Sequence, residues 1–137
     1  LGSLNLNGQI INGVWQKYTS IVGSTYKETY EFNEDNTFKF SPSGFDGLTR
    51  ILSFGGTFFI EKDTIYFTIR YIEECDGGNI IRSSITTLNN SWEIMDCICK
   101  KKEIIENNIW PVPYKLSNNN NQKTLSIGTD IYYLIKE

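Results

Sequence analysis

A two-residue alternation of apolar and polar side chains runs through most of this chain, and it limits the possible folds more than any other feature. In residues 25–32, Tyr26, Tyr30 and Phe32 fall on one face of an extended strand, and mainly polar side chains fall on the other. Clusters of Asn, Asp and Gly interrupt the alternation about every eight to twelve residues. This pattern is typical of half-buried β-strands joined by short turns, and no long helix is expected.

The strand count and the short turns predict an all-β fold. We expect about nine or ten strands joined in sequence order, as in an up-and-down barrel. The 137 residues suit one domain, so the prediction is a single antiparallel β-barrel of about eight to ten strands over 1–137, with 1–9 as a flexible N-terminal segment. One of these strands is expected to carry Ile65, Phe67, Ile69 and Tyr71 on the same face.

Charge and composition exclude several classes of function. The net charge is −3, and the only basic cluster is at residues 100–102, so a nucleic-acid-binding face is not expected. No apolar run approaches the ~20 residues of a membrane-spanning helix, so no transmembrane segment is expected. The chain has no histidine, which is the usual base in Ser-His and Cys-His catalysis and the commonest zinc ligand. We therefore expect no enzyme, cofactor or metal site, and the sequence leaves the oligomeric state open.

A glycine lies two residues before a tryptophan near the start of the first predicted strand. Glycine weakens a strand, so Gly13 indicates that something bulky approaches the backbone there. We expect the space left by its missing side chain to let the indole of Trp15 lie across one end of the barrel.

Three motifs in sequence order carry a resemblance to a known family. The chain has Gly13-Val14-Trp15, then an aromatic hairpin over residues 32–38, then a glycine-led strand pair over residues 56–65. In this respect it resembles the small bacterial lipocalin-like domains of the calycin group.

The resemblance implies a lipocalin-like barrel that carries a small ligand. It also implies a location outside the cytoplasm, whether secreted, periplasmic or lipid-anchored. The family places a cation over the tryptophan ring, and Lys136, close behind Tyr133 in the last strand, is the residue that matches. Gly13, Trp15 and Lys136 are thus predicted to be structural.

Aromatic side chains on the inward faces are candidates for lining a ligand cavity. They are Tyr26, Tyr30, Phe32, Phe38, Phe40, Phe67, Tyr71 and Trp92. An eight-stranded barrel is just wide enough to be filled by side chains or to hold one small ligand, so the sequence leaves both outcomes open.

Two carboxylates interrupt otherwise apolar faces, namely Glu28 and Asp96. Inside a barrel each would need water or a cationic partner such as Arg70 or Arg82. The alternative is that a bulge turns one or both toward solvent. The predicted ligand-binding set is Tyr26, Glu28, Tyr30, Phe38, Phe40, Phe67, Trp92 and Asp96.

The three cysteines leave the redox state open. Cys97 and Cys99 lie two residues apart on a predicted strand, which is poor geometry for a bond between them. Cys75 is the better partner for either one, and three reduced thiols are the alternative.

The sequence therefore predicts a non-catalytic protein that holds a small apolar ligand in the barrel lumen. The alternative is a filled barrel that acts as a surface interaction module and binds a protein or glycan through its loops.

Overall fold

The computed structural model describes residues 10–20, 27–44, 46–83 and 92–137, and these residues form strands, turns and bends with no helix. The strands are β1 (Gly13–Lys17), β2 (Thr29–Phe32), β3 (Thr37–Ser41), β4 (Ile51–Glu61), β5 (Thr64–Asp76), β6 (Asn79–Arg82), β7 (Trp92–Met95), β8 (Ile98–Glu103), β9 (Ile109–Asn119), β10 (Gln122–Ile127) and β11 (Asp130–Lys136). The described residues accordingly hold no helix long and apolar enough to cross a membrane. The expected flexibility of residues 1–9 concerns residues outside the described ranges.

Eight of the strands close into a ring. Around the ring the order is β1, β2, β3, β4, β5, β9, β10 and β11, and β11 pairs with β1 to complete it. Every pairing is antiparallel. The predicted all-β, antiparallel, barrel-like fold is confirmed, and the ring departs from chain order only where β9 follows β5.

The length of β5 explains that departure. Its first part, up to Thr68, pairs with β9, whereas its second part, from Tyr71 to Asp76, pairs with β8. The other edge of β5 pairs with β4 along nearly its whole length. As a result β8 lies beside the ring, and β6 and β7 form a separate two-stranded ribbon. The ribbon contacts the β3–β4 connection, where Ile94 N donates to the carbonyl oxygen of Gly47 over 3.1 Å.

The interior of the ring holds one buried core with half-buried apolar side chains around it. We call the end where β1 begins and β11 finishes the closed end, and the end where β1 finishes and β2 begins the open end. The buried core comprises Ile11, Trp15, Phe32, Phe38, Phe58, Ile60, Ile65, Phe67, Tyr114, Leu125, Ile127 and Tyr132. Trp15 is only 1% exposed, and its Nε1 donates to the carbonyl oxygen of Ile11 over 2.8 Å. Toward the open end, Tyr30, Phe40 and Phe54 are only half-buried against this core.

The glycine before the tryptophan has a different cause from the one predicted. Gly13 has φ +134°, and a Cβ there would lie 2.7 Å from the carbonyl oxygen of Lys136 and 2.9 Å from Cδ1 of Leu134. The backbone of β11, not the indole, therefore takes up the space. Lys136 meets β1 through this carbonyl, and it is not among the described cations that lie over an aromatic ring. The expected contact between Lys136 and the ring of Trp15 is wrong.

A bulge in β5 also changes the predicted alternation. Gly55 pairs with Tyr71 and Gly56 pairs with Ile69, so Arg70 is an extra residue on the β5 side. One inserted residue reverses the faces that follow it. Tyr71 consequently points out of the ring, over Gly55, and the prediction that it shares a face with Phe67 and Ile69 is wrong.

Candidate functional site

Four polar side chains from two strands and one strand-flanking segment meet at the open end. The Tyr132 hydroxyl donates to Oε2 of Glu28 over 2.6 Å. The Nζ atom of Lys17 lies 3.6 Å from Oε1 of Glu28 and 3.5 Å from Oδ1 of Asp130. We call Lys17, Glu28, Asp130 and Tyr132 the polar cluster. One lysine faces two carboxylates in it, so its formal charge is −1.

Strand register brings the polar cluster together. Lys17, the last residue of β1, pairs with Tyr132 of β11, and its backbone N–H donates to the carbonyl oxygen of Glu28 over 3.0 Å. Trp15 and Lys17 lie on the same face of β1 because they are two residues apart. The cation therefore points inward at the rim of the ring, on the same face of β1 as the buried indole.

Burial and the carboxylates keep the tyrosine hydroxyls of this region protonated. Burial, followed by the charges of Glu28 and Asp130, raises the pKa of Tyr30 to about 12. Burial and the hydrogen bond to Glu28 also raise the pKa of Tyr132 far above its usual value. Burial acts to lower the pKa of Lys17, but the hydrogen bond with Tyr18 and the nearby carboxylates raise it overall. Near neutral pH, Tyr132 is therefore a hydrogen-bond donor and Lys17 is a cation.

A row of apolar side chains extends from the polar cluster around the inner face of the open end. The ring of Tyr30 lies 5.2 Å from that of Tyr132 and 4.7 Å from that of Phe40, measured between centroids. The ring of Phe40 lies 5.0 Å from that of Phe54, and Phe54 pairs across the sheet with Ile72. We call Tyr30, Phe40, Phe54 and Ile72 the inner row. All four are half-buried, so the row lies at the rim of the core.

The inner row ends at a small cavity. The cavity has a volume of about 140 Å³ and lies where β5 separates from β9. It is lined by Ile69, Ile72, Ile104, Glu106, Asn108 and Trp110. The open end thus has a polar side at Glu28 and an apolar side at this cavity.

Below the inner row the interior is filled by side chains. The rings of Phe38 and Phe67 lie 4.8 Å apart, and those of Phe32 and Phe58 lie 5.0 Å apart. Phe38 and Phe67, both expected to line a ligand cavity, therefore belong to the packed core. At the open end, by contrast, half-buried inward-facing side chains remain within reach of a ligand.

The predicted ligand-binding residues divide into three groups. Glu28, Tyr30 and Phe40 come together at the open end, whereas Phe38 and Phe67 lie in the core. Tyr26 lies outside the described residues.

The remaining two, Trp92 and Asp96, lie outside the ring. Trp92 is on the ribbon, with the guanidinium of Arg82 5.0 Å from its ring centroid. Asp96 is exposed, with φ +61°, in the bend between β7 and β8. The predicted interior position of Trp92 is wrong, and Asp96 takes the outward position that was the alternative. The reason is that the chain leaves the ring after β5, which the alternation does not reveal.

The expected partner of the inward carboxylate was an arginine, and the structure provides a lysine instead. Glu28 pairs with Lys17, whereas Nη1 of Arg70 donates to Oδ1 of Asn107 over 2.6 Å. The sequence does contain a signal for Lys17, because the spacing from Trp15 puts it on the inward face. Asp130 and Tyr132 carry no comparable signal, since their approach depends on β11 closing the ring onto β1.

The cysteines form one disulfide. Cys75 is bonded to Cys97 with their Cα atoms 5.4 Å apart, and Cys99 is an exposed free thiol. The Cys75–Cys97 bond is one of the two pairings that the sequence left open for Cys75. It links the end of the ribbon to β5. No group of three or more Cys, Asp or Glu side chains suited to a metal ion occurs among the described residues.

Compared with known proteins, the chain matches no family model, no curated protein and no solved structure.

Proposed function

We propose that this is a non-catalytic binding protein that holds a small, largely apolar ligand in the open end of the ring. The observation that carries the proposal is the meeting of the polar cluster and the inner row at Tyr30. Ligand sites are typically concave and mainly apolar, with a few fixed polar groups that orient the ligand. A chain-like or flat ligand would lie along the inner row, with its apolar end at the cavity beside Ile72.

The charge of the polar cluster determines which charge the polar end of the ligand can carry. Lys17 is already shared between Glu28 and Asp130, so its charge is offset before the carboxylate of a ligand arrives. Bringing a further anion into this partly buried region would add repulsion to the cost of desolvation. The preferred ligand has an uncharged or cationic polar end.

The filled core sets the depth of binding. Because Phe32, Phe38 and Phe67 are in ring-to-ring contact, the ligand lies at the mouth of the ring and does not enter its centre. This shallow depth favours a small ligand, about as long as the inner row.

The same proposal includes a lipocalin-like relationship and a location outside the cytoplasm. The Gly13-Val14-Trp15 motif, the aromatic hairpin and the barrel-like ring support the relationship. The Cys75–Cys97 disulfide supports an oxidising compartment, since such bonds are rare in the cytosol.

A displacement assay tests ligand binding and the charge preference together. A polarity-sensitive dye that binds apolar sites is competed with dodecylamine, dodecanol and dodecanoate at matched concentrations below their micelle-forming range. We expect the amine and the alcohol to displace the dye more strongly than the acid. Native mass spectrometry of the purified protein provides the companion measurement of a retained small molecule.

Two phenylalanines on the same strand provide matched variants. Phe54→Ala removes part of the inner row, whereas Phe59→Ala removes an exposed ring from the outer face. We expect a loss of affinity of about tenfold in the first variant, as for an apolar side chain that contacts a ligand, and no change in the second. The proposal fails if none of the three competitors displaces the dye, or if the two variants bind alike.

A further inference from the structure

The outer face of the ring carries two adjoining hollows that the open end does not explain. One has a volume of about 390 Å³ and includes Lys39, Thr57 and Arg70, and the other has a volume of about 360 Å³ and includes Lys101 and Glu103. Arg70 and Tyr71 line both. We call the two hollows together the outer groove.

The groove needs an explanation because the outside of a closed ring of strands is generally convex. Gly55 occupies an outward position in β4, where an added Cβ would clash with the carbonyl oxygen of Phe38 and lie 2.6 Å from the Tyr71 hydroxyl. The β5 bulge at Arg70 bends the strand at this level. The side of the groove is formed by β8, which leaves the line of the ring with β5.

The bulge places an aromatic side chain in the groove. Tyr71 is half-buried, and the Nζ atom of Lys101 lies 4.4 Å from its ring centroid. Burial, followed by the charges of Glu73 and Glu31, raises the pKa of Tyr71. Its hydroxyl is therefore a donor, and its ring gives the groove an apolar surface among polar groups.

The charges around the groove balance. Three cations, Lys39, Arg70 and Lys101, and two carboxylates, Glu31 and Glu103, line the two hollows. A third carboxylate, Glu73, lines neither hollow but lies 3.9 Å from Lys39, so the numbers of cations and carboxylates are equal. A phosphate or nucleic-acid site would carry an excess of cations, and this groove has none.

Hydrogen-bonding groups of both kinds line the groove. The lysines and Arg70 only donate, the carboxylates only accept, and threonine and asparagine side chains do both. Such a lining suits a ligand whose hydroxyl groups each donate and accept hydrogen bonds. The aromatic ring of Tyr71 suits packing against the C–H faces of the same ligand.

From this geometry we infer that the outer groove is a binding site for an uncharged saccharide. The site lies on the outer face of β2 to β5, whereas the inner row lies on the inner face, so ligands at the two sites do not compete.

A printed array of neutral, sialylated and sulfated oligosaccharides tests the inference, with Tyr71→Ala and Tyr66→Ala as matched variants. Both tyrosines are half-buried, but Tyr66 is stacked on Phe59 and does not line the groove. We expect one or more neutral glycans to bind the unmodified protein, to lose tenfold or more of their signal with Tyr71→Ala, and to keep it with Tyr66→Ala.

A second variant distinguishes a loss of binding from a loss of folding. Thr57 is exposed on β4 and lines the groove, so Thr57→Tyr fills the groove at a position where a strand accepts an aromatic residue. It should abolish the same signals while the far-UV circular dichroism spectrum and the melting temperature stay unchanged. The inference is overturned if no neutral glycan binds above the level of Tyr71→Ala, if only anionic glycans bind, or if Thr57→Tyr folds and binds normally.

Discussion

The hydroxyl of Tyr132 donates to the carboxylate of Glu28 across 104 residues of sequence. Glu28 immediately precedes β2 and Tyr132 lies in β11, and these two strands are both neighbours of β1 without pairing with each other. The bond therefore spans β1 on the inside of the ring, beside the contact that closes the ring. Lys17, at the end of β1, lies between the two strands and pairs with the same carboxylate.

Removing that hydroxyl should destabilise the protein. Tyr132→Phe keeps the ring in the core but takes a donor from a charged acceptor, which typically lowers the free energy of unfolding by about 1.5–3 kcal/mol. Urea denaturation measures the change. Tyr133→Phe is the control because Tyr133 is the next residue on the same strand and points away from the core. Equal losses in the two variants would show that the bond to Glu28 contributes nothing.

Stability should fall at high pH because of Tyr30. Its folded-state pKa of about 12 lies above the usual value of 10.0, so between these values the folded state binds more protons than the unfolded state. The free energy of unfolding then decreases as pH rises, by up to about 2 kcal/mol over this window. Melting temperatures of the parent and Tyr30→Phe between pH 8 and 11 provide the test. Above pH 10 we expect the melting temperature of Tyr30→Phe to fall less steeply than that of the parent. Identical profiles would contradict the raised pKa of Tyr30.

The alternation of side chains was enough to predict the strands and much of the core. Phe32, Phe38 and Phe67 lie inside as expected, because burial of one sheet face is a local property of each strand. The bulge at Arg70 was not predictable from this pattern, since an inserted residue depends on the partner strand. It reversed the orientation of Tyr71 and so determined the outer groove.

The candidate site was also only partly predictable, because the positions of its side chains depend on which strands pair. Glu28 stood out as a charge on an apolar face, and the structure does give it an inward position and a cationic partner. Asp96 showed the same pattern in the sequence, yet it lies in a bend outside the ring. The two cases differ in long-range pairing, because β5 continues to β8 and takes the intervening chain away from the interior.

The close approach of β11 to Gly13 predicts a strong effect of substitution. Gly13→Ala adds a Cβ that meets the Lys136 carbonyl oxygen and Cδ1 of Leu134, in a backbone conformation that L-residues rarely adopt. Gly77→Ala is the matched control because Gly77 also has a positive φ, of +72°, but no atom within 4 Å of its added Cβ. The control should lose about 1–2 kcal/mol from backbone strain alone. Gly13→Ala should lose clearly more, measured by urea denaturation, and equal losses would refute the steric explanation.

The register of β5 and β8 predicts how the cysteines respond to substitution. Cys75 is bonded to Cys97, but its partner directly across the sheet is Cys99. Opposed residues in antiparallel strands have Cα atoms about 4.5–5.5 Å apart, within the range that a disulfide spans. In Cys97→Ser, the thiolate of Cys99 is therefore placed to replace the lost partner, and oxidation with glutathione disulfide should give a Cys75–Cys99 bond and two molecules of reduced glutathione.

Peptide mapping under non-reducing conditions, after alkylation of free thiols, identifies the bond. The parent should show one alkylated cysteine, Cys99, and Cys99→Ser should show none and keep the Cys75–Cys97 bond. If Cys97→Ser instead retains two alkylated thiols or two glutathione adducts after oxidation, the side chains of Cys75 and Cys99 do not meet, and the paired register of β5 and β8 is wrong at this position.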